Sequence, residues 1–108
     1  MKTNSLIQLK NKQVIHLNKV IYIKSDGHYA EFFCIDNNKR IISRSSLKEL
    51  SSILPVALFV RVHRSYIINL NYVEKFNKQQ VILHNGIKIP LSRNINLNDY
   101  IAKIHSKN

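Results

Sequence analysis

The feature that most restricts the fold is a succession of short runs rich in Ile, Val, Tyr and Phe, each cut by polar residues before it can grow long. Such runs occupy 5–9, 13–17, 19–25, 29–35, 40–44, 58–62, 65–69, 72–76, 80–84 and 86–91. Length and β-branched or aromatic content make each of them a strand. The breaks "DNNK" (36–39) and "NKQ" (77–79) have hairpin-turn composition, and "HNG" (84–86) offers two residues that tolerate positive φ.

Two segments depart from this pattern. Ser46 is followed three residues later by Glu49, a capping box, and Leu47, Leu50 and Leu54 recur at spacings of three and four before Pro55 ends the run. This predicts a short helix near 46–54. Leu97, Tyr100, Ile101 and Ile104 share one helical face and predict a C-terminal helix near 93–104. The expected class is therefore mostly β, with about ten short strands in small layered antiparallel sheets and two helices. The 108 residues suit one domain spanning 1–108. No apolar run approaches the roughly 18 residues of a membrane span. "MKTNSLIQLKNKQ" lacks a signal peptide's apolar stretch, and the single cysteine, Cys34, cannot close an internal disulfide. These features point to a reducing, cytoplasmic setting.

Charge narrows the partner. Seventeen Lys and Arg stand against six Asp and Glu, a net +11. That excess costs self-repulsion and favours a polyanion, nucleic acid foremost. An anionic membrane surface, an acidic protein, or solubility alone are the other readings. The basic residues are spread along the chain, so the partner is expected to dock on a folded face. "RVHRSYIIN" (61–69) sets four ring or cationic side chains, Arg61, His63, Arg64 and Tyr66, in six positions.

With "LNKVIYIKSDGHYAEFF", "RSSLKEL", "LFVRVHRSYIINLNYV" and "IPLSRN" in this order, the chain resembles the LytTR family of bacterial DNA-binding domains over about residues 10–104. The most specific piece is F-x-R-x-H-R-S-Y-I-I-N at Phe59–Asn69. The resemblance implies a ten-stranded, mostly-β domain that binds promoter DNA at paired direct repeats through loops. Such domains are usually the output half of a two-component response regulator. It also implies a possible receiver domain absent from this chain, and self-association through DNA or through that domain. Carried over by position, the loop Ser25–Tyr29 reaches a major groove at or next to His28. Arg64, where some members carry Asn, and Arg93 occupy the other two contacting positions. Some relatives have a redox-sensing cysteine just before the histidine of the R-x-H segment. Val62 stands there in this chain, so that control has no basis here.

The residues themselves suit the role. Arg64 and Arg93 carry planar forks that match guanine O6/N7 or a phosphate. His28 and His63 can donate to phosphate or base, although His63, beside buried strand positions, equally suits fixing a turn. Asp26 would repel phosphate and either accepts from a cytosine N4 or holds its turn. Tyr29, Ser65, Ser92 and Asn94 complete the candidate DNA-binding set, with Ser92 and Arg93 expected at a helix start whose free N–H groups favour phosphate. Lys24, Lys39, Arg40, Arg44 and Lys48 are candidate phosphate contacts. Arg61 reads as a solvated strand residue or a remote phosphate contact, and Tyr22 and Tyr66 as core or tethered through their hydroxyls. No glycine-framed nucleophile, metal-ligand spacing or phosphate-cradling loop is present, so no catalytic residue, metal or cofactor is expected. The rival readings are an RNA-binding module, which would lack the usual aromatic pair or GxxG clamp, and a basic protein–protein interaction domain.

Overall fold

In the run 20–26, buried Val20, Ile21 and Ile23 give way to exposed Lys24 and Asp26, and this segment becomes the longest strand. The computed structural model describes residues 6–36 and 41–105, with side chains to residue 101. Its strands are β1 (Leu6–Gln8), β2 (Val14–His16), β3 (Val20–Asp26), β4 (Tyr29–Cys34), β5 (Ile41–Ser43), β6 (Phe59–His63), β7 (Tyr66–Asn69), β8 (Val73–Phe76), β9 (Gln80–Leu83) and β10 (Ile87–Pro90). Two helices, α1 (Leu47–Ile53) and α2 (Leu97–His105), join them. The strands form a β1-β2 hairpin, a five-stranded sheet ordered β5-β4-β3-β7-β6 and a three-stranded sheet ordered β10-β9-β8. All the pairings are antiparallel.

The five-stranded sheet is covered on both faces, which its register explains. Ile23 pairs with Phe32 on one side and Ile67 on the other, and register partners share a face. That face packs with Leu47, Leu50 and Leu54 of the α1 region and with Leu9 and Ile15 of the first hairpin. Tyr22 pairs with Ile68, and Ile68 with Val60, on the opposite face. There Val62, Val81, Leu83, Ile89 and Leu97 form a second core beneath the three-stranded sheet.

The capping box is present as the sequence predicts: Ser46 Oγ accepts from Glu49 N–H at 3.0 Å and Glu49 Oε1 accepts from Ser46 N–H at 2.9 Å. Ser46→Ala should therefore destabilise the fold by about 1 kcal/mol, read as a lower urea midpoint at unchanged slope. The same contacts make stability depend on acid. Ser46 N–H and then Lys10 hold the exposed Glu49 carboxyl below its ordinary range, and the Lys19 ammonium does so for the exposed Asp36. A pKa lowered by folding contributes stability above the unfolded value and loses it as pH falls through the folded one. Glu49→Gln should accordingly be the less stable protein at neutral pH, and the two urea midpoints should converge on the acid side of the carboxylate range.

Two expectations need correction. The C-terminal helix begins at Leu97 rather than near 93, because Ile95 N–H closes a tight turn onto Ser92 O (3.2 Å) and Asn96 Oδ1 accepts from Asn98 N–H (3.0 Å) as the cap. Ser92 and Arg93 therefore do not start a helix. The loop that the resemblance implies at Ser25–Tyr29 is shorter than those five residues. Asp26 and Tyr29 are ladder partners, leaving only Gly27 and His28 as the turn. The turn placed at 36–39, with Lys39 and Arg40, falls largely outside the described residues. The turn at 84–86 is as expected, with Asn85 at φ 64° and Gly86 at φ 75°.

Candidate nucleic-acid interface

Strand direction alone gathers the candidate residues. β3 rises to the Gly27-His28 turn, so its antiparallel neighbour β7 begins at that end and the Arg64-Ser65 turn lies there too. β5 runs antiparallel to β4 and brings Arg44 to the same end. Strand spacing of about 4.8 Å puts β5 and β6 roughly 19 Å apart along this edge. Two backbone hydrogen bonds lock the turns together. Ser25 N–H donates to Ser65 O at 2.9 Å, and Ser92 N–H donates to Val62 O at 2.8 Å. The second is possible because the register shifts between Arg61 and His63. Val62 is left out of the ladder, and its carbonyl is turned to the 92–95 turn.

Each turn is built by its own residues. Gly27 takes φ +61° at the first central position of a two-residue hairpin, which leaves His28 exposed at the tip. His63 Nδ1 accepts from Ser65 N–H at 3.1 Å, which leaves the proton of the neutral ring on Nε2, and its ring lies 5.6 Å from that of Tyr66. Arg61 Nη2 donates to Arg64 O at 2.9 Å. The Arg64-Ser65 turn is thus braced from both sides, and the Arg64 side chain is exposed. Arg93 and Asn94 are exposed at the corner of the 92–95 turn, while Ser92 is half-buried.

His28, Arg64, Arg93, Asp26, Tyr29, Ser65, Ser92 and Asn94 are therefore brought to one end, with His63 directly behind. Asp26 is exposed beside the tip. The Arg44 guanidinium lies over the exposed Tyr29 ring, 5.7 Å from its centroid, so a cation is held next to the His28 hairpin. Lys24 is set back along β3, with Glu31 as its ladder partner on β4. Lys48 is exposed in the first turn of α1.

Sequence reasoning missed two braces. Arg61 is not merely solvated: it holds the Arg64 carbonyl, a contact that nothing in an alternating strand announces. Asn69 is fully buried; its Nδ2 donates to Val20 O and its Oδ1 accepts from Asn71 N–H, both at 2.9 Å. Tyr22 is stacked on Phe33 (centroids 4.4 Å apart) and packs on the second core, as expected, and burial pushes its hydroxyl pKa up. Burial also raises the Cys34 thiol, with Asp36 adding to the effect, so this thiol is not activated. Among the described residues no helix is long and apolar enough to cross a membrane.

The profile of the LytTr DNA-binding domain matches residues 10–98. The chain belongs to the LytTR family. A LytTr DNA-binding domain from Bacillus cereus has the same fold, with a TM-score of 0.68 at 21% identity over 96% of each chain. The sensory transduction protein LytT of Enterococcus faecalis is 40% identical over 53 residues, 44% of this chain and 22% of that protein. The CO-responsive transcriptional regulator RcoM of Rhodospirillum rubrum is 38% identical over 61 residues, 56% of this chain and 25% of that one. The aligned part thus makes up about a quarter of these curated relatives. The LytTR assignment accounts for a basic, mostly-β chain whose exposed turns gather at one end: it is a DNA-binding domain.

Proposed function

We propose that this LytTR domain binds promoter DNA in a sequence-specific way and regulates transcription as one folded unit, laying the turn-bearing end of its central sheet against the duplex. The observation that carries this reading is the coupling of three exposed turns through the Ser25–Ser65 and Ser92–Val62 backbone hydrogen bonds. His28, Arg64 and Arg93 then read base edges in the major groove, where a guanidinium fork can bind guanine bidentately. Arg44 and Lys24 meet phosphates, which adds affinity without sequence information. Arg44, after the outer strand β5, and the 92–95 turn, held against β6 at the other edge, are about 19 Å apart (four strand spacings). That is more than a major groove of roughly 12 Å, so the two edges engage different parts of the duplex and bending is favoured. Direct repeats, a receiver domain elsewhere in the whole protein and a cytoplasmic, non-enzymatic role complete the proposal.

The test is a fluorescence-anisotropy titration of a random duplex pool at several salt concentrations, with the bound fraction sequenced and a structured RNA as competitor. A steep salt dependence, an enriched paired motif and poor competition by RNA are expected. Steep binding without enrichment would reduce the domain to a non-specific basic binder. Preference for the RNA would overturn the DNA reading.

A further inference from the structure

The β8–β9 turn stands outside every residue assigned so far, yet it reaches the same end of the molecule. Leu91 N–H donates to Gln79 O at 2.9 Å, which ties this turn to the chain just before Ser92. The turn is internally rigid. Asn77 Oδ1 accepts from both Gln79 N–H (2.7 Å) and Gln80 N–H (3.0 Å), and Asn77 N–H donates to Gln80 O at 3.0 Å. A side chain that caps its own turn in this way presents the next residue at the tip. That residue is the exposed Lys78.

Between this turn and the segment leading into α2 lies a cleft of about 570 Å³ with Lys78 on one wall and Arg93 on the other. Asn77, Asn96 and Asn98 are its other polar lining residues, and among the described residues no Asp or Glu lines it. A lysine with amide side chains beside it and no acid suits a single-charge anion with several acceptor oxygens. We infer that this cleft seats a backbone phosphodiester of the bound duplex, with Lys78 as its principal contact, and that the β8–β9 turn is a fourth element of the interface. This rests on the proposed DNA binding. It extends the footprint outward past Arg93, away from β5.

Lys78→Ala separates this inference from the reading beneath it. Losing one neutralised phosphate makes the slope of log K against log salt shallower by about 0.9, which is about fivefold in affinity near 0.15 M salt. The loss should be equal on an enriched site and on random duplex, because a phosphate carries no sequence. Lys19→Ala is the control. Lys19 precedes β3 at the opposite end of the sheet and is paired with Asp36 at 3.1 Å, so removing it takes the same formal charge from a place DNA does not touch. If Lys78→Ala leaves slope and affinity unchanged while the parent protein binds steeply, the cleft is not a phosphate seat. The phosphate seat is equally overturned if Lys19→Ala weakens binding as much, since net charge alone would then account for both. If the parent protein binds no duplex at low salt, the underlying DNA reading fails instead.

Discussion

Asn69→Ala should lower the stability of the domain by about 3 kcal/mol, from two lost hydrogen bonds at about 1 kcal/mol each and the cost of stranding a buried partner. The side chain has no exposed surface and joins segments far apart in sequence, Val20 at the start of β3 and Asn71 just beyond β7. Truncation leaves the Val20 carbonyl without this donor in a layer that water does not reach. It also frees the chain entering β8, where Asn69 shapes the turn at 70–72. Equilibrium urea unfolding measures the effect, and a loss under roughly 1 kcal/mol would mean that the site relaxes or admits a water. Asn69→Asp is the sharper version, because Nδ2 is replaced by an oxygen facing the Val20 carbonyl, and it should be at least as damaging. DNA affinity of the folded fraction should change little, since Asn69 stands at the end of β7 away from the turns.

This role shows how the signature of the chain divides. In "RVHRSYIIN" Val62, Ile67 and Ile68 are core, His63 and Arg61 brace a turn, and Asn69 ties two strands together. Arg64 is the large cation whose side chain remains exposed and whose backbone is held from both sides. Most of the motif therefore builds a mount, and one residue is mounted.

The elements were legible where local chemistry decides them. The Ser46–Glu49 box set the start of α1 to the residue, and the Asn85-Gly86 pair took the positive φ that both residues tolerate. The start of α2 was not legible. Ser92 and Asn96 are both good caps, and the choice between them is made by Val62, thirty residues upstream, whose out-of-register carbonyl captures Ser92 N–H. The site followed the same rule. That His28, Arg64 and Arg93 are the candidate contacts came from resemblance, which placed His28 on a loop, whereas Arg93 was read at a helix start and stands on a turn instead. That the turns share one end came from strand order, which no local pattern encodes. Lys78 was passed over because its "NKQ" break has ordinary turn composition. Only the Leu91–Gln79 bond marks it as a neighbour of Arg93.

Arg93 and Lys78 line one cleft and carry the same charge, yet they should behave differently when replaced. Arg93→Ala should cost about 1–3 kcal/mol on the preferred site, roughly 5- to 150-fold in affinity, if its fork binds a guanine edge. On random duplex the loss should be limited to the factor expected from one cation. The decisive variant is Arg93→Lys. It keeps the charge and much of the reach but has no planar pair of donors. If Arg93 reads a base, Arg93→Lys should lose discrimination almost as fully as Arg93→Ala while keeping the parent salt slope. If Arg93 only clamps phosphate, Arg93→Lys should bind every sequence nearly as the parent does, and sequence selection would have to rest on Arg64 and His28. Anisotropy titrations on the enriched and the random duplex, at three salt concentrations, separate the two. The geometry favours the first outcome. A turn corner fixed by Ser92–Val62 and Ser92–Ile95 hydrogen bonds holds Arg93 in a set position, and a fixed mount matters for a bidentate contact far more than for a point charge.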